Sequence, residues 1–203
     1  MENAVVLVAN GQRPSHPKII QIIKDAEKII CIDNGYSIVK DLNIIPSILI
    51  GDLDSVDLTN VDQSVEIIKH KDQNLSDLEK ALNYCIEKGI SKVYLLASTG
   101  LRDDHNLANL ILIIDFIEKI NVIILSDEYE IEAVKGKKEY KCKKNTQISI
   151  ISINEGNKIT TGGLKYNLKD EVLKSRSHGI SNSTMEDNFF IECVKPVLLF
   201  KKL

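Results

Sequence analysis

Acidic residues recur in short polar segments, each placed after an apolar, β-rich run: Asp33; Asp52 and Asp54 in Gly51-Asp52-Leu53-Asp54-Ser55; Asp72 and Asp77; Asp103 and Asp104. Carboxylate oxygens are hard ligands and select magnesium, manganese or calcium over softer metals. Asp52 and Asp54 lie two residues apart, so in an extended segment both point to one side and can share an ion. Magnesium held this way keeps several waters and takes further ligands from substrate phosphates. The set therefore points to transfer of a phosphate-containing group from a nucleotide to a small molecule. Each Asp also has a structural explanation, because Asp caps helices and closes turns; Asp104 can cap a helix beginning at His105. The functional reading comes from the set rather than from any member.

Other residues add to it. Arg102, in Ser98-Thr99-Gly100-Leu101-Arg102, can clamp phosphate oxygens or stand as a solvated loop arginine. His105 can act as a general acid or base, although a polar helix-end role is the expectation there. Asn10-Gly11 closes the first apolar run, where backbone amides can meet phosphate. The chain has no G-x-G-x-x-G, G-x-x-x-x-G-K-[ST] or G-x-S-x-G pattern, so no standard nucleotide loop or hydrolase elbow accounts for its chemistry. Ser175 to Ser183 reads as a polar hairpin loop.

The elements that must position these groups alternate in the first part of the chain. Strands are expected at 4–9, 29–33, 47–51, 65–70, 92–97 and 121–126. Helices are expected at 17–28, opened by Pro17, at 35–42, from the Ser76-x-x-Glu79 capping box to Gly89, and at 105–119. Such alternation implies a mostly parallel sheet with helices on both faces, and the strand ends that carry the acids then share one edge, where open α/β sheets bind ligands. From Asp127 the helical period stops. Short β-rich runs at 147–153, 188–194 and 197–200, with turns at Asn154-Glu155-Gly156 and Gly162-Gly163, imply a smaller all-β sandwich. The expected organisation is an α/β domain over 1–126 and a β-sandwich domain over 127–203.

Composition narrows the classes. With 43% apolar and 27% charged residues among 203, the chain is that of an ordinary globular protein. A net charge of −3 gives no electrostatic footprint for nucleic acid, and 5% aromatics without Trp gives no stacking platform. Cys31, Cys85, Cys142 and Cys193 form no C-x-x-C pair and read as free thiols of a reducing compartment. No apolar run is long enough to span a bilayer, and the start lacks a signal-peptide pattern, so a soluble cytoplasmic protein is expected.

Taken in order, the segments resemble the thiamine pyrophosphokinase family. Asp33-Asn34-Gly35-Tyr36-Ser37 is similar to the family's Asp-Gly-Gly-Ala-Asn segment, and Pro46 through Gly51-Asp52-Leu53-Asp54-Ser55 to its Pro-x-x-x-x-Gly-Asp-Phe-Asp-Ser. Asp72-Gln73-Asn74-Leu75-Ser76-Asp77 is similar to Asp-Gln-x-x-Thr-Asp, and Thr99 to His105 to Thr-Gly-Gly-Arg-x-Asp-His, followed by Asn106-Leu107-Ala108-Asn109. Gly163-Leu164-Lys165-Tyr166 and Gly179-Ile180-Ser181-Asn182 resemble late segments of the family. The resemblance covers nearly the whole chain, and its specificity lies in the ordered combination.

The resemblance implies transfer of a diphosphoryl group from ATP to the thiamine hydroxyl, giving thiamine diphosphate and AMP. It implies a homodimer whose site lies between subunits, the acidic edge of one facing thiamine-binding residues in the β domain of the other. It implies that Asp52, Asp54 and Asp77 hold magnesium, that Arg102 meets the ATP phosphates, and that Asn10, Asp33, Gly35 and Asp72 belong to the binding set. Gln73 and Asp104 fall near thiamine and the reacting oxygen, and Ser181 and Asn182 near the pyrimidine ring. Asp77 or Asp104 can accept the proton of the attacking alcohol. Tyr166 is expected to pack within the β domain, with stacking on a ring as the alternative. The chain departs from the family at Asn34, at Tyr36-Ser37, at Leu101, where a side chain limits close backbone approach to phosphate, and at Asp103. A diphosphokinase acting on another small alcohol, such as a pterin, and a non-catalytic nucleotide or thiamine binder are the competing functions.

Overall fold

The computed structural model describes residues 4–70 and 72–203. It divides into two compact units: one runs to Leu112 and takes in Glu118–Asp127, and the other comprises Ile113–Ile117 and Glu128–Leu203.

The first unit is built from β1 (Val5–Val8), α1 (Pro17–Lys24), β2 (Lys28–Ile32), α2 (Gly35–Asp41), β3 (Ile48–Gly51), β4 (Glu66–Lys69), α3 (Asp77–Glu87), β5 (Lys92–Leu96), α4 (Asp103–Asp115) as far as Leu112, and β6 (Asn121–Leu125). Its six strands pair in parallel throughout, in the order β4-β3-β2-β1-β5-β6. Apolar runs such as Ile48-Leu49-Ile50 are buried along their whole length, as strands must be when helices cover both faces of a sheet. β4 lies at the sheet's edge, and its Glu66 and Lys69 are exposed, charges that discourage pairing with another chain.

The helix ends explain themselves locally. α1 opens on Pro17, with the His16 Nδ1 accepting from the Lys18 N–H at 3.2 Å. It stops at Lys24 rather than Lys28, where the Asp25 carboxylate accepts from the Gln21 amide at 2.7 Å and Lys28 already begins β2. α3 carries the expected capping box: the Ser76 Oγ accepts from the Glu79 N–H at 3.2 Å, and the Glu79 carboxylate from the Ser76 N–H at 2.9 Å. α4 starts at Asp103, so Asp104 sits inside its first turn instead of capping it.

The second unit is antiparallel and strand-rich: β7 (Tyr129–Lys141), β8 (Gln147–Ile151), β9 (Lys158–Gly162), β10 (Glu171–Val172), β11 (Asn182–Ser183) and β12 (Asn188–Lys202). The runs expected at 188–194 and 197–200 are one strand. Its register against β7 shifts between Cys193 and Val197, and this irregularity accommodates Pro196, which has no N–H to give to a ladder. The first half of β12 pairs with β7 and β9, and the second half with β7 and β8. Residues from all four strands, among them Val134, Ile148, Ile159, Ile191 and Leu199, close one core, in which Tyr140 stacks on Phe189 at 4.8 Å. Tyr166 is not part of that core: it is 65% exposed, because the Lys165-Tyr166 segment lies on a surface turn. All four cysteines are free, and burial pushes the Cys85 thiol up to about 12 and Cys193 to about 11. No helix among the described residues is long and apolar enough to cross a membrane.

Candidate functional site

Three carboxylates meet at the C-terminal edge of the parallel sheet. Asp33 follows β2, Asp52 follows β3, and Asp77 opens α3 after β4. These strands are neighbours, about 5 Å apart in the sheet, and one carboxylate oxygen from each acid lies within 4.8 Å of the others. The Asp33 backbone takes a left-handed conformation (φ 47°), with its N–H bonded to the Ile50 carbonyl at 3.0 Å. Its Oδ1 accepts from the Leu53 N–H at 3.2 Å and lies against Gly51, where any Cβ would collide with it. Gly51 is thus required both by that approach and by its own φ of 153°. Burial, and then the adjacent Asp77 carboxyl, push the Asp33 pKa up to about 7; Asp52 adds to the rise and the Leu53 N–H opposes it. Asp77 is partly covered, and its Oδ1 accepts from Lys80 Nζ at 2.8 Å.

Asp54 does not stand in this trio. The expectation that Asp52 and Asp54 point the same way needed an extended segment, but Leu53 is buried and left-handed (φ 62°), so the chain turns there. The exposed Asp54 donates its backbone N–H to Asp52 Oδ1 at 3.2 Å. Asp33 takes the third place. Its position after β2 was the available signal, although the sequence placed it in the binding set rather than among metal ligands.

The remaining candidates of the first unit lie around this edge in separate groups. Asp72 closes its own turn, accepting from the Asn74 N–H at 2.8 Å and side chain at 2.9 Å, which lowers its pKa. Gln73 is exposed. Asn10 accepts from the Asn34 side chain at 3.4 Å. Gly35 is a packing glycine, since a Cβ there would run into the Val8 carbonyl at the end of β1. Arg102 and Asp104 form an exposed ion pair at 2.6 Å, and that hydrogen bond, followed by the Asp104 bond to the His105 N–H, holds the Asp104 carboxyl down at about 2. They follow β5, two to four strand spacings of about 5 Å from the acid trio across the sheet. Asn106 and Asn109 have a role that the sequence did not reveal. Asn106 accepts from the Gly100 N–H at 2.9 Å and Asn109 donates to the Ser98 carbonyl at 2.8 Å, so α4 fixes the loop that carries Arg102.

In the second unit, Ser181 and Asn182 lie beside Tyr166. Asn182 donates to the Tyr166 carbonyl at 2.7 Å and accepts from its N–H at 3.1 Å, bracing that turn. Ser181 is left-handed (φ 59°), its N–H bonded to the Ser149 hydroxyl at 3.0 Å. The exposed tyrosine ring and the Ser181 hydroxyl thus occupy one surface region.

Chemically, the trio is an all-oxygen donor set with anionic crowding, which fits a hard divalent cation that keeps part of its water shell. Residues 19–125 match the family model described as thiamin pyrophosphokinase, catalytic domain, and residues 128–198 the one described as thiamin pyrophosphokinase, vitamin B1 binding domain. The chain is 26% identical over 213 residues to a thiamine pyrophosphokinase of Bacillus subtilis (strain 168), covering 95% of each. Its fold is similar to a crystal structure of Bacillus subtilis thiamine pyrophosphokinase (TM-score 0.81, 24% identity, 98% of each chain). It is also similar to that of the Geobacillus thermodenitrificans protein (TM-score 0.82, 20% identity, 98% of this chain and 96% of the other).

Proposed function

The chain belongs to the thiamin pyrophosphokinase family, and we propose that it transfers a diphosphoryl group from ATP to the hydroxyl of thiamine, with magnesium, to give thiamine diphosphate and AMP. The observation that carries this reading is the convergence of Asp33, Asp52 and Asp77 at one edge of the sheet. Asp54, tied to Asp52 through its N–H, stays in the proposed ligand set. Magnesium bound there would neutralise charge on the phosphates and on the departing AMP.

The chain's own groups do the positioning. Arg102 meets the ATP phosphates as a planar, permanently charged donor, leaving its exposed pairing with Asp104 to do so. Asn10, Asp33, Gly35 and Asp72 shape the nucleotide side, and Gln73 lies towards thiamine. The attacking alcohol must lose a proton. Asp77 or Asp104 is the proposed base. Ser181 and Asn182 receive the pyrimidine ring, with the exposed Tyr166 beside them. Residues 1–126 thus bind ATP and magnesium, and residues 127–203 bind thiamine.

The active form is a cytoplasmic homodimer in which the acidic edge of one protomer faces the thiamine-binding segment of the other. On α4, Leu107 and Ala108 are exposed and Leu110, Ile111 and Leu112 only partly covered, apolar surface that supports association with a second copy.

Incubation of the purified protein with magnesium, ATP and thiamine, followed by chromatography, is expected to yield AMP and thiamine diphosphate. Formation of ADP would rule out diphosphoryl transfer. No turnover, with ligands still bound, would favour a binding protein.

A further inference from the structure

Among the described residues, Lys80 is the one buried lysine or arginine. Long cationic side chains usually lay their stems on apolar surface and keep the charged end in water. Here the side chain is only 2% exposed, and its ammonium meets Asp77 Oδ1 at 2.8 Å, one helical turn away on α3. Burying an ammonium is costly, and an apolar side chain of similar size is often as stable or more so.

Asp77 is the member of the trio with the least backbone support. Asp33 is fixed by the Leu53 N–H and by its fit over Gly51, and Asp52 accepts from the Asp54 N–H. The Asp77 side chain instead accepts from Lys80, on the same helix whose first turn the capping box secures. We propose that Lys80 is a positioning residue: it holds Asp77 Oδ1 so that the carboxylate stands preset towards Asp33 and Asp52 and completes the cation site. The inference rests on the proposed metal site, and it assigns Lys80 no contact with substrate. Hydrogen-bond partners of metal-ligating carboxylates commonly govern affinity by about 10- to 100-fold.

Mn2+ serves as the probe, with its binding to the free protein followed by electron paramagnetic resonance and thermal unfolding recorded alongside. The sign of the change decides the matter. Charge alone predicts that Lys80→Met, by removing a nearby positive group, binds Mn2+ more tightly; positioning predicts weaker binding. We expect Lys80→Met to lose about tenfold or more in affinity, Lys80→Arg to keep most of it, and Lys80→Met to cost nothing further in an Asp77→Asn background. Equal or tighter binding by Lys80→Met, or an equal loss in the Asp77→Asn background, overturns the proposal. If Lys80→Met does not fold, Lys80→Gln and Lys80→Arg supply the comparison: affinity must fall from wild type to Arg to Gln, and any other order counts against positioning. A wild-type protein that binds no Mn2+ would remove the metal site itself, whereas normal wild-type binding with unaffected variants removes only the role of Lys80.

Discussion

At the scale of single residues, the acid trio is a place where the fold accepts electrostatic cost. Asp33 is part-buried beside Asp77 and Asp52, and its pKa is raised from 3.8 to about 7. A carboxyl whose pKa is higher folded than unfolded binds protons more readily in the native state, so it destabilises the fold once it ionises. That penalty is absent below about 3.8, grows as pH rises, and is complete above about 7. Protein stripped of divalent ions should therefore lose stability between about pH 5 and about pH 8, relative to an Asp33→Asn variant. The gap should be about 1–2 kcal/mol, less than full linkage would give because the carboxyl is half solvated. Thermal unfolding at several pH values, with chelator, checks this. Parallel curves for the two proteins would show that Asp33 carries no such load.

At the scale of elements, α3 presents Ser76, Asp77 and Lys80 within its first turn. Replacing Ser76 by Ala removes half of the capping box and should cost about 1 kcal/mol in urea unfolding. It should also weaken Mn2+ binding, because the frayed turn carries Asp77; a stability loss with unchanged affinity would separate the cap from the site. That capping box was readable from four residues, and so were the six parallel strands, five of them largely buried apolar runs and only the edge strand β4 mostly exposed. β7 and β9 were not readable. β7 breaks its apolar residues Ile131 and Val134 with a buried Glu132 and continues into a run of lysines and Glu139, and β9 is a short polar run, so neither carries a continuous apolar signal. Pro196 made one strand look like two. At the site, spacing placed Asp54 beside Asp52, but the left-handed turn at Leu53 is a backbone choice that spacing rules do not encode. Lys80 was invisible for a related reason: a lysine on a helix reads as surface, and only packing reveals that it is enclosed.

At the scale of the whole molecule, the proposed site takes its acidic edge from one protomer and its thiamine-binding segment from the other, which mixing can test. Asp77→Asn and Asn182→Ala homodimers should each be inactive. After unfolding and refolding together, heterodimers would carry one intact site, restoring about a quarter of wild-type activity. A mixture as inactive as its components would place both groups on the same protomer or remove the dimer from the mechanism. The two units also differ in when they can be finished. Every strand of the parallel sheet has been made once the chain reaches Leu125, so that unit can form on the nascent chain. The second unit needs much more of the chain, because the late stretch of β12, Val197 to Lys202, is the partner that joins β8 to β7 and supplies Leu199 to the core. It closes only after that stretch has been made, and a protein truncated before Val197 would leave β8 without its β12 neighbour.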